Sequence, residues 1–490
     1  MYKFTTDEGY RSYRQSLLFI LITAMNQVMP GHTLNVHQSV NRSTYCEIPG
    51  YIPSEKDMEA LTDAMHTLIH SCFPLKTITV PIQEAISLFQ GCGDPVAAEK
   101  LLSTPRDTVT LFENSGRYYS VYGQLFPHAG FLRDFELVLF EAGFLLRYPH
   151  PNHGGRMQPF HSGKKILQTI NDYRAWSHVV GVRDVYDLNT LIREGKIAEC
   201  INISEIMHEK RLSYIADVIK NDILNKKIIL ISGPSSSGKT TTANRLMLHL
   251  RAVGITPQII SLDDYYRGRS ATPLDENGKP NYENMEAIDH ELFSHHLLRL
   301  INGETVTVPR FDFTVGERAP EGRTISLPSG AVLVVEGIHA LNEKLTRGIP
   351  AQCFYKVYCS ALTVLCFDRY NPISPTDTRL IRRIIRDSRF RNTPAIGTLD
   401  MWPDVQKGEI QNIFPYEEEA DIIFNSALSY EFAVYRKPAE ALLSSALDCE
   451  RHHATVLRLL DFIRYFDPIT DEKVPPTSIL REFIGGSSIL

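Results

Sequence analysis

The stretch Ile228-Ile229-Leu230-Ile231-Ser232-Gly233-Pro234-Ser235-Ser236-Ser237-Gly238-Lys239-Thr240-Thr241 decides how this chain is read. Four β-branched or leucine residues make a buried strand. Gly233 and Gly238 bound a tight loop, and Thr241 to Leu250 continues in helical spacing. Strand, glycine-bounded loop and helix are the setting in which GxxxxGK[ST] cradles phosphate on backbone amides. In that setting Gly233, Pro234, Ser235, Ser236, Ser237, Gly238, Lys239, Thr240 and Thr241 hold a nucleotide. Lys239 reaches its outer phosphates and the Thr240 hydroxyl its magnesium ion.

Outward from the loop, apolar runs alternate with helical stretches. Gln258 to Leu262 leads into Asp263-Asp264-Tyr265-Tyr266, and Asp289 to Ile301 has helical spacing. Ala331 to Val335 is continuously apolar, as suits a parallel strand covered on both faces, and it ends in Glu336-Gly337-Ile338. Phe354 to Tyr358 and Asp421 to Phe424 read as further strands. The expected class is α/β, a doubly wound parallel sheet preceded by a smaller α+β domain. In such a sheet ligands lie at the carboxyl ends of the strands, where the loop, Asp263 and Glu336 all fall.

Glu336 is placed to hold Mg²⁺ together with Thr240. Asp263 and Asp264 supply a base that takes a proton from an acceptor hydroxyl. Alternation puts them on opposite sides, so only one of the two need point inward, and the pair could instead be a turn or helix cap. Arg379, Arg382, Arg383 and Arg386 recur at spacings of three and four, so they share one helix face suited to a transferring phosphoryl group. The same face could instead be solvated or paired with Glu417 to Glu419. Tyr265, Tyr266, Tyr282, Phe311 and Phe313 are stacking surfaces for a planar base, or core.

Four segments are expected: residues 1–165, an α+β domain; 166–226, a helical connector; 227–450, the phosphate-loop domain; and 451–490, a helical tail. Leu17 to Val28 and Glu55 to His70 have helical spacing, and Thr108 to Glu113 and Arg117 to Tyr122 read as strands. Phe135 to Arg147 is so apolar that it reads as a buried helix or a helix–strand pair. Lys+Arg 51 against Asp+Glu 57 gives a net charge of -6, with no basic excess to suit nucleic acid. The 8 cysteines include no CxxC pair, which fits a reducing compartment. Leu17 to Met25 is too short to cross a bilayer, and a cytoplasmic protein is expected.

GPSSSGKTT, DDYY, PRFDF, VVEGIHAL and TRLIRRIIRD, in this order, resemble the uridine kinase and phosphoribulokinase family of P-loop kinases. MWPDVQKGEI, IFPYEEEADIIFNSALSYE and REFIGG are similar to a bacterial group of nucleoside kinases. The extension of that group resembles the additional domain of threonyl-tRNA synthetase. The resemblance implies ATP and Mg²⁺ as cofactors, Asp263 as catalytic base, and Lys239, Arg382, Arg383 and Arg386 as catalytic cations. It implies Tyr266 and Glu283 on the substrate side and Glu336 at the metal. Beside the resemblance, the residues themselves make Phe311, Phe313 and Arg379 substrate-side candidates and Thr240 a metal ligand.

Two departures stand out. Uridine kinases carry a histidine after the element matching Phe311-Asp312-Phe313, whereas this chain continues Thr314-Val315-Gly316-Glu317. The extension has no histidine in Leu17 to Leu21, His66 and His70 sit on a later helix as a solvated face, and His150/His153 lack a cysteine partner, so aminoacyl editing is not expected and a structural, dimerising or regulatory role is. The acceptor stays open between a nucleoside and a phosphosugar or other small alcohol. A non-catalytic ATP sensor that binds tRNA or protein through the extension is the alternative, and a homo-oligomer is compatible with all of these.

Overall fold

A computed structural model describes residues 4, 6–40, 42–102, 104–151, 154–160, 162–274, 278, 280–312 and 315–490. Phe313, Thr314 and His153 lie outside them. The chain forms two compact units, each gathered from separate stretches. One is Met1–Cys200, Thr363–Thr378 and Ser429–Ile469; the other is Ile201–Leu362, Arg379–Leu428 and Thr470–Leu490.

The second unit is built on a five-stranded parallel sheet in the order Ile422–Asn425, Phe354–Ser360, Ile228–Ser232, Ala331–Glu336, Thr256–Ser261. The two central runs, Ile228–Ser232 and Ala331–Glu336, are buried at every position. Covered on both faces, they need apolar residues at consecutive positions rather than alternate ones. From Ile228–Ser232 the chain runs to one edge of the sheet, returns to the adjacent strand, then crosses to the other side. The loop after Ser232 therefore opens at the topological switch point. Register aligns the carboxyl ends: Glu336 lies beside Ile231 on one side and Ser261 on the other, and Tyr358 lies beside Ser232. This is the doubly wound sheet expected from the sequence. Helices Lys239–Ala252, His290–Ile301, Pro375–Arg391 and Ala395–Asn412 fall within or extend into this unit.

The first unit is α+β. Helix Asp7–Val28, capped where Thr6 accepts from the Gly9 amide, is buried without a break from Ser16 to Met25. It packs in a core with helix Glu55–His70 and with Phe112, Tyr119, Phe144 and Leu146 from two antiparallel sheets. The buried helix or helix–strand pair expected over Phe135 to Arg147 is instead a hairpin, Glu136–Phe140 with Gly143–Arg147. Glu141, at φ 51, sits in the two-residue turn. A side chain at Gly143 would overlap the Cys46 carbonyl of the neighbouring strand, so that glycine permits the pairing. The second hairpin strand is buried at four consecutive positions, which erased the alternation that marks a strand. Among the described residues no helix is long and apolar enough to cross a membrane.

Candidate active site

The loop after Ile228–Ser232 closes because its glycines admit contacts that other residues would block. A Cβ on Gly233 would overlap the Cys359 carbonyl oxygen of the next strand. Gly238, at φ +86, turns the chain into helix Lys239–Ala252, and Ser236 adopts a left-handed φ of 59 within the loop. Lys239 is 9% exposed, and its Nζ donates to the Pro234 carbonyl at 2.9 Å. Burial lowers its pKa, while Glu336 and Asp263 act against that shift. The Ser236 and Ser237 hydroxyls are buried with no hydrogen-bond partner among the described residues. Orphaned donors at a helix N-terminus fit phosphate oxygens.

Glu336, at the end of its strand, accepts from Ser261 Oγ at 2.6 Å and faces Thr240 Oγ1 at 3.5 Å. Asp263 follows Ser261 in the 3-10 turn Leu262–Tyr265, with its amide donating to Ser261 Oγ. Burial raises the pKa of both carboxyls. Lys239 pulls both back down, helped at Asp263 by Arg391 and Arg386. Asp264 diverges, accepting from the Phe311 amide at 3.5 Å. The two aspartates part as expected, through a turn rather than strand alternation.

Among the described residues no group of three or more His, Cys, Asp or Glu is placed to hold a metal. Mg²⁺ in phosphoryl-transfer sites is usually held by one or two carboxylates, substrate phosphates and water. The oxygens of Thr240 and Glu336, with Asp263 adjoining, meet that smaller requirement.

Behind Asp263, Tyr266 donates to the Tyr282 carbonyl at 2.9 Å, and its ring meets those of Tyr282 at 5.5 Å and Phe311 at 5.7 Å. Tyr265 turns away into the core, bonded to His296. Glu283 is held by Asn412, whose side chain donates to its carbonyl. Gly408 permits the approach, since a Cβ there would stand 2.5 Å from that of Glu283. Burial raises the Glu283 pKa to about 7, with repulsion from Glu409 adding to the rise and Arg383 opposing it.

The four arginines of helix Pro375–Arg391 meet carboxylates and loop carbonyls. Arg379, buried, forms a bidentate pair with Glu409, its Nη2 at 2.9 Å, and also donates to the Ser235 carbonyl at 3.2 Å. Arg382 is fully buried, donating to Ser236 and Ser426 with its guanidinium over the Phe483 ring at 5.1 Å. Arg383 donates to Ser235 Oγ at 2.8 Å and to Asp387 at 3.0 Å; Arg386 also binds Asp387. Arg379 and Arg382 thus brace the loop's backbone, while Arg383 meets the Ser235 hydroxyl and Arg386 pairs with Asp387.

Sequence reasoning missed four groups. Glu409 accepts from the Ser235 amide at 2.9 Å. Glu482 accepts from the Thr241 amide and hydroxyl. Asp387 gathers three arginines. His339 is buried with neither ring nitrogen partnered among the described residues. Glu409 and Glu482 stand in MWPDVQKGEI and REFIGG, tracts that marked the resemblance without suggesting a role.

The profile of the Phosphoribulokinase / Uridine kinase family matches residues 228–431. A uridine kinase of Staphylococcus haemolyticus is 32% identical over 211 residues, which is 43% of this chain and 92% of that protein. One of Deinococcus deserti is 29% identical over 197 residues, covering 40% of this chain and 86% of the relative. A solved structure described as a possible uridine kinase from Bacillus stearothermophilus is 20% identical. It covers 44% of this chain and 98% of its own, with a TM-score of 0.30. The matched residues run from the strand before the loop through the arginine helix and Glu409. This chain belongs to the phosphoribulokinase and uridine kinase family, and is a phosphotransferase.

Proposed function

We propose that the enzyme uses MgATP to phosphorylate the 5′-hydroxyl of a nucleoside, uridine or a related one. The observation that carries this reading is the position of Asp263. It lies within electrostatic reach of Lys239, Glu336, Tyr266 and Glu283. Aromatic faces suit a planar base, and a carboxylate such as Glu283 suits ribose hydroxyls. Asp263, its basicity raised by burial, accepts the proton of the attacking hydroxyl. Lys239 exchanges the Pro234 carbonyl for phosphate oxygens, and the loop amides and the Ser236 and Ser237 hydroxyls orient them. Arg383 and Arg386 supply positive charge to the transferring group. Thr240 and Glu336 would hold Mg²⁺, which neutralises charge on the phosphates when bound. The reading carries a cytoplasmic location with it.

A phosphosugar or other small alcohol is the second reading. It is favoured by Thr314-Val315-Gly316-Glu317 standing where uridine kinases carry a histidine. ATP consumption measured across nucleosides and phosphosugars separates the two. Turnover with uridine or cytidine and none with phosphosugars is expected; the reverse refutes the first reading.

A further inference from the structure

Residues Ile479 to Gly485 touch the phosphate loop, the helix after it and the arginine helix. Ile479 Cδ1 fills the place where a Cβ on Gly238 would stand. Glu482 accepts from the Thr241 amide at 3.3 Å and from its hydroxyl at 2.6 Å. Phe483 is fully buried beneath the Arg382 guanidinium, and a Cβ on Gly485 would approach Arg389 Nε to 2.8 Å. The segment is therefore docked by an apolar residue on Gly238, a carboxylate on Thr241 and an aromatic ring beneath Arg382.

The Thr241 amide is one of the N–H groups at the start of helix Lys239–Ala252 that the helix itself does not bond, where the backbone and the dipole favour an anion. In a GxxxxGK[ST] loop those amides serve the nucleotide phosphates. One N–H cannot serve a carboxylate and a phosphate at full strength, and two anions on the same donor repel. Glu482 is half-buried, so unlike Glu409 it can leave for solvent.

We infer that Glu482 occupies a phosphate position of the nucleotide site and that ATP must displace it, so that the segment Ile479–Gly485 sets nucleotide affinity and is released when nucleotide binds. This rests on the proposed nucleotide-binding function. Glu482 is then a competitor held in place by the fold. Glu482→Gln keeps an acceptor for Thr241 but removes the charge, whereas Glu482→Ala removes both.

Calorimetric titration of the full chain with MgATP should give affinity rising from wild type to Glu482→Gln to Glu482→Ala, the last by about tenfold, as expected when a competing state is removed. Inorganic pyrophosphate should follow the same order, and adenosine, which has no phosphate, should not respond. Hydrogen exchange on the wild-type chain should show faster exchange across residues 479–486 when ATP is added. Equal or weaker ATP binding by both variants, or greater protection of the segment with ATP, would make Glu482 a builder of the site and overturn the inference. If neither wild type nor variants bind ATP or pyrophosphate, the proposed function itself fails, and this inference with it.

Discussion

Glu409→Gln tests whether the arginine helix is neutralised from within. Glu409 is 1% exposed and bonded to both Nη atoms of Arg379 and to the Ser235 amide. Arg379 is 3% exposed and stands against Trp402, its guanidinium 5.5 Å from the ring centre. Gln can still accept from Ser235 but leaves a buried guanidinium without a counter-charge, which costs about 3–5 kcal/mol. That is a fifth or more of the roughly 5–15 kcal/mol that typically separates folded from unfolded chains. The chain has two tryptophans, so a Trp176→Phe background leaves Trp402 as a reporter beside the pair in urea titrations. The urea midpoint should fall by about 1 M or more for Glu409→Gln. Replacing both partners, as Arg379→Met with Glu409→Leu, should recover most of the stability, since a buried pair exchanged for apolar side chains is often near neutral. The double variant should still bind ATP poorly, because Ser235 loses its ties to both residues. A single-variant loss under about 1 kcal/mol, or a double variant as unstable as the two single losses added, would refute the buried-pair account.

Asp263→Asn should retain ATP binding by calorimetry and lower kcat by about 10²–10⁴-fold; unchanged kcat removes the residue from the chemistry. Gly233→Ala should abolish nucleotide binding and lower stability by about 1–3 kcal/mol, because the added methyl meets the backbone of strand Phe354–Ser360; intact binding would refute that packing. Glu283 has a folded pKa of about 7 against an ordinary 4.5, so its protonated form is favoured in the folded state. That contribution is fully present below pH 4.5 and is lost as pH rises through 7, a change of about 3 kcal/mol that Glu283→Gln should abolish; parallel stability–pH curves for the two chains would refute it.

The sheet was legible where burial wrote itself into consecutive residues. Ala331–Glu336 carries its own signature because both of its faces are covered. The same condition misled at Phe135–Arg147: Gly143–Arg147 is also buried at four consecutive positions, but it belongs to a hairpin too short for length to separate it from a helix. Its turn offered no Asn-Gly or Asp-Gly pair, since Glu141 itself takes the left-handed conformation. The division into units was also hidden, because Thr363–Thr378 and Ser429–Ile469 join the first unit from far along the chain.

In the site, what could be read was what local geometry fixes: a loop, the carboxylates that end its neighbouring strands, and a helix with arginines on one face. The partners of those groups could not be read, for a reason that bears on mechanism. Spacing shows that four guanidiniums need anions but not whether the anions belong to a ligand or to the fold. The fold supplies Glu409, 30 residues from Arg379, and Glu482, 241 residues from Thr241. The two carboxylates solve different problems. Glu409 is buried and tied on both sides, so it prepays the desolvation of Arg379 and holds the Ser235 end of the loop rigid before any nucleotide arrives. Glu482 is half-buried and, among the described residues, bonds to Thr241 at the start of the helix, so it satisfies the same kind of amide while leaving it open to exchange. A loop held firmly at the Ser235 end and provisionally at the Thr241 end is suited to receive phosphate there, with the rearrangement confined to the segment Ile479–Gly485.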